Sequence, residues 1–442
     1  MKRTPESGNR EHRVDCAGVS CARPILLALV RVLVLVCGTL VTVSCSASDA
    51  PQEPASTEYR LEYRVTPEPR RNRLHVVMGV EQSSRLLLEV NMRVPAAYFS
   101  EFEGDGRISV EDDRLTWRVP GQGGKLSWSV APARLKSKNQ YDAYMAEDWA
   151  LFRASDIIPP ARTRTTSGAT SKTSLSFSLP SGWSSATQYA GQHHRYPVNN
   201  PKRRFDRPTG WILLGKIGTR TENISGIHVK VAAPKNHGVR RMDMLALLGW
   251  TLPEATRLFD EFPPRLTIFS AKSPMWRGGL SAPASLYIHA SRPLLSENGT
   301  STLLHEIVHI GMAASAEYGA DWIVEGMAEY YGLQLLLRSG TITQNRYARA
   351  LSQLGDWGAD QELGCNGKAN GAVTARATVL MHELDRELRK KTRKEHNLDD
   401  VMNVLARQEQ KISISNFESI VNRHLGQKSE ILNEAAPGRC SR

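Results

Sequence analysis

The sequence predicts an α+β fold, with an antiparallel, β-sandwich-like domain over residues 57–235 followed by a mainly helical domain over residues 236–428. Two observations carry this. From residue 57, apolar side chains recur at every second position in short runs separated by Gly, Pro and Ser, the pattern of half-buried strands. After residue 236 the apolar spacing becomes three and four, in runs long enough for helices. With 442 residues, 40% of them apolar and 23% charged, the chain can bury two cores and is not a disordered sequence.

The N-terminus reads as a separate element. Lys2, Arg3, Arg10, Arg13 and Arg23 precede "PILLALVRVLVLVCGTLVTVSC", a basic leader followed by an apolar run and small residues, which is the form of an export signal. Arg31 interrupts the run and argues against a stable membrane-spanning helix. "TVSC" resembles a bacterial lipobox, which makes Cys45 the lipidation site, residues 1–45 a lipoprotein-type signal and residues 46–56 a flexible tether. The expected location is therefore outside the cytoplasm, tethered to membrane at the bacterial cell envelope or periplasmic face. Cleavage before Cys45 leaves, besides Cys45 itself, Cys365 and Cys440, either bonded to each other in an oxidising compartment or free as thiols.

The formal charge of +12 includes six basic and three acidic side chains in residues 1–44, so +9 remains after cleavage. "PKRRF" and "RKKTRK" read as solvated loops and helix ends, and nothing in them has the form of a nucleic-acid-binding motif.

Within the β region, "LLLEVNMRV" sets Leu86, Leu88, Val90, Met92 and Val94 on one face and Leu87, Glu89, Asn91 and Arg93 on the other. "YRLEYRV", "RISVEDDRLTWRV", "TSLSFSL" and "GIHVKVAA" alternate in the same way. His193 and His194 are adjacent, so their side chains diverge, and they read as loop residues. Beyond residue 236, "RRMDMLALLGW" reads as helix and "RLTIFSA" and "ASLYIHA" as strands. Helices follow at about 301–315, 320–338, 342–355, 373–391, 396–408 and 415–425, the last capped by Ser415, with 429–442 as a tail.

The chemistry concentrates in "STLLHEIVHIGMAASAEYGADWIVEGMAEYY". His305 and His309, four apart on a helix, present both imidazoles to one point. A catalytic zinc takes three protein ligands and leaves one position open. Glu306 is placed to accept a proton from water that such a zinc would acidify. The metzincin pattern, with a third histidine six residues after the second, is ruled out, because Met312 and Ser315 stand where it needs glycine and histidine. The next helix offers Glu325, with Glu329 one turn on to accept a ligand histidine's ring N–H. Gly326, costly in a helix, reads as a close approach of these two helices around a metal.

"HEIVH…WIVEGMAEYY" resembles the gluzincin zinc metallopeptidases, specifically the aminopeptidase N and glycyl aminopeptidase branch. "RGGLSAPASLYIHA" resembles their edge strand, and the helices around "LMHELDRELRKKTRKEHNLDDVMNVL" resemble their late helices, so the likeness spans about 57–428. It implies a thermolysin-like catalytic domain, one zinc per chain on His305, His309 and Glu325, Glu306 as general base and Glu329 behind a ligand. It also implies that Gly278, Gly279 and Leu280 contact a peptide or protein substrate. Two departures stand out. Ser281 occupies the place of the acidic residue that holds a substrate's free amine in aminopeptidases, and Thr374 that of the transition-state tyrosine. The expectation is an exported zinc peptidase, with endopeptidase activity favoured slightly over aminopeptidase. A zinc-bearing but inactive binding lipoprotein is the alternative from another class.

Overall fold

The computed structural model describes residues 57–200, 204–365, 367–435 and 437. Its first half is a multi-sheet β assembly. A six-stranded sheet runs Arg195–Val198, Thr170–Phe177, Glu58–Glu68, Arg73–Glu81, Gly123–Val130 and Phe99–Gly104 from edge to edge. A four-stranded sheet of Ala161–Thr165, Leu87–Arg93, Arg114–Arg118 and Arg107–Glu111 packs with it. Alternation does the work expected of it: Tyr59, Leu61, Tyr63 and Val65 are buried while their neighbours face out. Trp117 and Trp128 fill the centre of this core.

Two details differ from the pattern. Strand Glu58–Glu68 pairs in parallel with Thr170–Phe177, so this sheet is not wholly antiparallel. The two strands are far apart in sequence, which leaves chain enough for the crossover that parallel pairing needs. At the start of Leu87–Arg93 a bulge opposite Arg164 and Thr165 shifts the register, so Leu87 is buried and Leu88 only half-buried. A bulge inserts one residue and exchanges the faces beyond it, which strict alternation cannot foresee.

A third sheet, Ser184–Thr187, Trp211–Gly215, Trp149–Arg153, Gln140–Met145 and Arg134–Ser137, packs through Trp149, Leu151 and Trp211 onto Phe269 and Tyr287 of a fourth. That fourth sheet runs Ile217–Ile224, Ile227–Pro234, Arg265–Ala271, Ser285–His289 and Gly279–Ala282. Its three central strands are parallel and both outer pairs antiparallel. Strands 217–234, which the sequence pattern assigns to the close of the β domain, are thus part of the sheet that carries the site. Helix Arg241–Leu258 makes the crossover between two of the parallel strands.

Six further helices of nine residues or more follow: Thr302–Met312, Asp321–Arg338, Gln344–Gly358, Gly371–Lys391, Leu398–Ala406 and Ile414–Leu425. Ser301 caps the first by accepting from Leu304 N, and Ala313, at φ +48°, ends it in the left-handed region. The last is capped by Ser413 and not by Ser415: Ser413 Oγ accepts from Asn416 N, and Ser415 lies inside the helix. Leu303, Ile307, Ile323, Met327, Leu380 and Leu384 join one core beneath these helices. Among the described residues no helix is long and apolar enough to cross a membrane. Residues 1–56, with Cys45, lie outside the described residues.

Candidate metal centre

His305 and His309 stand one turn apart on helix Thr302–Met312, their rings edge to face at 4.7 Å, and their Nε2 atoms are 3.1 Å apart. Helix Asp321–Arg338 brings Glu325 across them, with Oε2 3.3 Å from His305 Nε2 and Oε1 3.5 Å from His309 Nε2. Donors about 2.0–2.1 Å from a zinc at tetrahedral angles stand about 3.3 Å from one another. The three separations bracket that value, so these residues fit one face of a zinc tetrahedron, and the fourth direction opens on a cleft of about 910 Å³. Among the described residues this is the only cluster of three or more His, Cys, Asp or Glu side chains able to hold a metal ion.

The charges point the same way. Burial opposes a proton on His305, yet its hydrogen bonds to the Glu325 and Glu329 carboxylates and the charges of Glu329 and Glu306 hold its pKa well above the usual value. Burial would raise Glu325, but the two histidines hold its pKa well below the ordinary carboxylate range. Three carboxylates around two imidazoles call for a cation, and zinc is the one this donor set suits. His305 Nδ1 donates to Glu329 Oε2 at 2.9 Å, which leaves Nε2 as the ligand atom.

Glu306 lines the same cleft as the donor triad and is only 6% exposed. Burial raises its pKa, opposed by His305 and His309, supported by Glu325 and lowered by a hydrogen bond from the Ser281 hydroxyl. A carboxyl tuned upward is what a general base at neutral pH requires. Room for it depends on Gly279: a Cβ there would stand 2.7 Å from Glu306 Oε1. The strand Gly279–Ala282 is the edge of its sheet and is pinned from behind, Trp211 Nε1 donating to Leu280 O at 3.0 Å.

The structure brings His305, Glu306, His309, Glu325 and Glu329 together, with Gly278, Gly279, Leu280 and Ser281 on the facing wall and Thr374 on another. Among the described residues no tyrosine lines the cleft. Gly326 has a different reason from the one expected. Its Cβ would meet Ala377 Cβ at 2.6 Å, so it admits helix Gly371–Lys391, while Gly332 is the glycine on the His305 side, where a Cβ would stand 3.5 Å from His305 N. His193 and His194 form a two-residue turn, with φ of +48° and +61°, and take no part in the centre. Cys365 is disulfide-bonded, and Cys440 lies outside the described residues.

Sequence reasoning missed Lys136, Trp276, Arg292, Lys368 and Trp357, which also line the cleft. Lys136 arrives from the β region. Tyr141, on the next strand of its hairpin, accepts from Trp276 N at 2.7 Å, and this sets Lys136 Nζ 4.7 Å from the Trp276 ring centroid. No motif links residues so far apart in sequence.

Residues 305–362 match the family model described as M61 glycyl aminopeptidase. Among solved structures, an aminopeptidase N family protein from Idiomarina loihiensis is similar at 17% identity and a TM-score of 0.61, over 85% of this chain and 78% of that one. An M1 zinc metallopeptidase from Deinococcus radiodurans is similar at 15% identity and a TM-score of 0.56, over 87% of this chain and 94% of that one. No curated protein matches the chain. The family match falls on the metal centre itself and the fold likeness spans the β region and the helices around it: the chain is a zinc metallopeptidase, a peptide-bond hydrolase that resembles the gluzincins of the aminopeptidase N and glycyl aminopeptidase branch.

Proposed function

We propose that this chain hydrolyses peptide bonds within extended polypeptides or next to blocked amino termini, with Glu306 as the general base. The observation that carries the reading is the buried Glu306 carboxylate, set beside the convergent His305, His309 and Glu325 donors and opposite an unpaired strand edge. When bound, zinc supplies Lewis-acid polarisation of a carbonyl and lowers the pKa of water. The chain's own residues do the rest. Glu306 takes a proton from the attacking water at its carboxylate and returns it to the leaving amine. Glu329 holds the His305 ring in the orientation and tautomer that ligation needs. The free edge of Gly279–Ala282 offers backbone groups to which an extended peptide adds as a further strand, with Gly278, Gly279 and Leu280 against it.

The preference for internal bonds rests on charge. Ser281 brings no carboxylate for a free α-amine, and Asp321, also in the cleft, already accepts from Ala369 N at 2.9 Å. The M61 match at residues 305–362 favours the aminopeptidase reading instead. Peptides matched in sequence and differing only in an acetylated or free amino terminus decide between them. Cleavage of both supports the internal reading, and cleavage confined to free amines replaces it. Export with lipidation at Cys45 belongs to the same proposal and is supported by the basic leader, the apolar run and "TVSC".

A further inference from the structure

Away from the zinc donors and Glu306, the cleft carries cations. Besides Glu329, which is bonded to His305, Asp321 is the one other carboxylate that lines it among the described residues, and it is engaged by the backbone of Ala369. Lys136, Arg292 and Lys368 line it too, and Arg277 is exposed next to Trp276. Among the described residues none of these four cations is ion-paired to a carboxylate, whereas many surface arginines of this chain are.

Three of them gather where the edge strand begins. Lys136 Nζ sits over the Trp276 ring, and that ring lies against Gly278, where a Cβ would stand 2.0 Å from it. Arg292 Nε donates to Arg277 O at 3.0 Å, which fixes the guanidinium and leaves its terminal nitrogens unengaged. His289 N donates to Gly278 O at 3.0 Å and ties the Arg292 segment to the same point. The local field is positive: burial first, then the charges of Arg277 and Arg292, lower the pKa of His289. Guanidinium groups with free forks are made for carboxylates.

We propose that Lys136, Arg277 and Arg292 form a carboxylate-binding subsite at the Gly278 end of the edge strand, selecting peptides with a carboxylate beside the scissile bond. The proposal rests on the peptidase reading and deepens it. The carboxylate comes from an Asp or Glu side chain or from the peptide's own carboxyl terminus. The same positive potential disfavours a free α-ammonium, in keeping with Ser281 in place of an acid.

The test uses acetylated peptides of one sequence carrying Glu, Gln or Lys on either side of the cleaved bond, each ending in a carboxylate or a carboxamide. The readout is kcat/KM with the wild type, Lys136→Ala, Arg292→Ala and Arg292→Glu. The wild type is expected to prefer Glu over Gln and Gln over Lys. Each alanine variant should lower the Glu-to-Gln ratio roughly fivefold, the upper range for a partly exposed ion pair, and Arg292→Glu should invert the Glu-to-Lys order. A Glu-over-Gln preference assigns the carboxylate to a side chain, and a lower rate on the carboxamide than on the free carboxylate assigns it to the carboxyl terminus; either supports the subsite. Equal rates on Glu, Gln and Lys peptides together with equal rates on carboxylate and carboxamide termini, or charge preferences unchanged in all three variants, overturn it. Binding of the same peptides to Glu306→Gln, followed by fluorescence anisotropy, is the second measurement. If the wild type cuts nothing, the peptidase reading fails, while a charge preference in binding still upholds the subsite and its absence sinks it.

Discussion

Gly279 is where a single methyl group should separate catalysis from metal binding. Its φ is not in the left-handed region, so alanine meets no backbone obstacle there and the conflict is purely one of space. An added Cβ would stand 2.7 Å from Glu306 Oε1, 2.8 Å from Glu306 Cγ and 2.8 Å from Thr302 Cγ2. Ordinary carbon contacts lie near 3.5–4.0 Å, so the strand and helix must part, or Glu306 must move, by roughly 0.7–1 Å. The carboxylate tip is flexible, but Cγ and the Thr302 methyl are not, and the side chain is buried with little room to retreat. Overpacking of this kind costs about 1–3 kcal/mol of stability.

The catalytic consequence is larger. A base displaced by about 1 Å loses on the order of 10²-fold in rate, or about 2.7 kcal/mol of transition-state stabilisation. The donor atoms of His305, His309 and Glu325 are not touched by the new methyl, so zinc should stay. The assay compares kcat/KM on one peptide, zinc content by plasma mass spectrometry and the thermal midpoint for wild type and Gly279→Ala. The expected outcome is a loss of roughly 30- to 300-fold in kcat/KM, full zinc and a modestly lowered midpoint. A variant within twofold of wild type at full zinc occupancy would refute the role given to Glu306. A loss of zinc in proportion to activity would refute the claim that Gly279 serves the base alone.

Four other outcomes can be checked directly. His305→Ala, His309→Ala and Glu325→Ala should each abolish stoichiometric zinc, and Glu329→Ala should weaken zinc affinity by roughly 10- to 100-fold; a Glu325→Ala chain with full zinc would break the ligand set. Glu306→Gln should keep zinc and fold while losing roughly 10²- to 10⁴-fold in kcat, and unchanged turnover would defeat the mechanism. Gly326→Ala should lower stability by about 1–3 kcal/mol in a denaturant melt, and Ala377→Gly in the same chain should restore part of it, because the clash is between these two residues. Cys45→Ser should move the chain from the membrane to the soluble exported fraction on cell fractionation, and unchanged membrane retention would point to an uncleaved anchor.

The metal centre is legible in the sequence because its geometry is local. His305, Glu306 and His309 lie within five positions of one helix, and Glu325 with Glu329 lie within five of the next, so helical period decides which side chains share a face, and the short link between the helices brings the two faces together. The helices themselves are legible from the same period, with ends displaced by a few residues where capping chooses Ser413 over Ser415. What stays hidden is set by distant pairing. The parallel register of Glu58–Glu68 with Thr170–Phe177 depends on a crossover, and the bulge at Leu87 and Leu88 on its partner strand. Gly326 is recognisable as a contact glycine but its neighbour is not, since sequence shows that a helix face is bare and not which helix covers it. Lys136 cannot be read at all, because its place in the cleft depends on Tyr141 meeting Trp276.

Position 281 joins the tuning of the base and the charge of the cleft into one physical account. An acidic residue there would add a fourth carboxylate to Glu306, Glu325 and Glu329 and would repel the base it faces. Serine instead donates a hydrogen bond to Glu306 and partly offsets the rise that burial imposes on its pKa. On the proposed reading, the serine that offers no carboxylate to a substrate's amine therefore also moderates the base. With no anion at 281, the nearest uncompensated charges on the approach to the edge strand are Lys136, Arg277 and Arg292. The cleft is thus rich in carboxylates around His305 and His309 and in cations at the Gly278 end of the edge strand, where the proposed reading brings in the peptide. That polarity suits a substrate bearing carboxylates near the cleaved bond better than one presenting a free ammonium group.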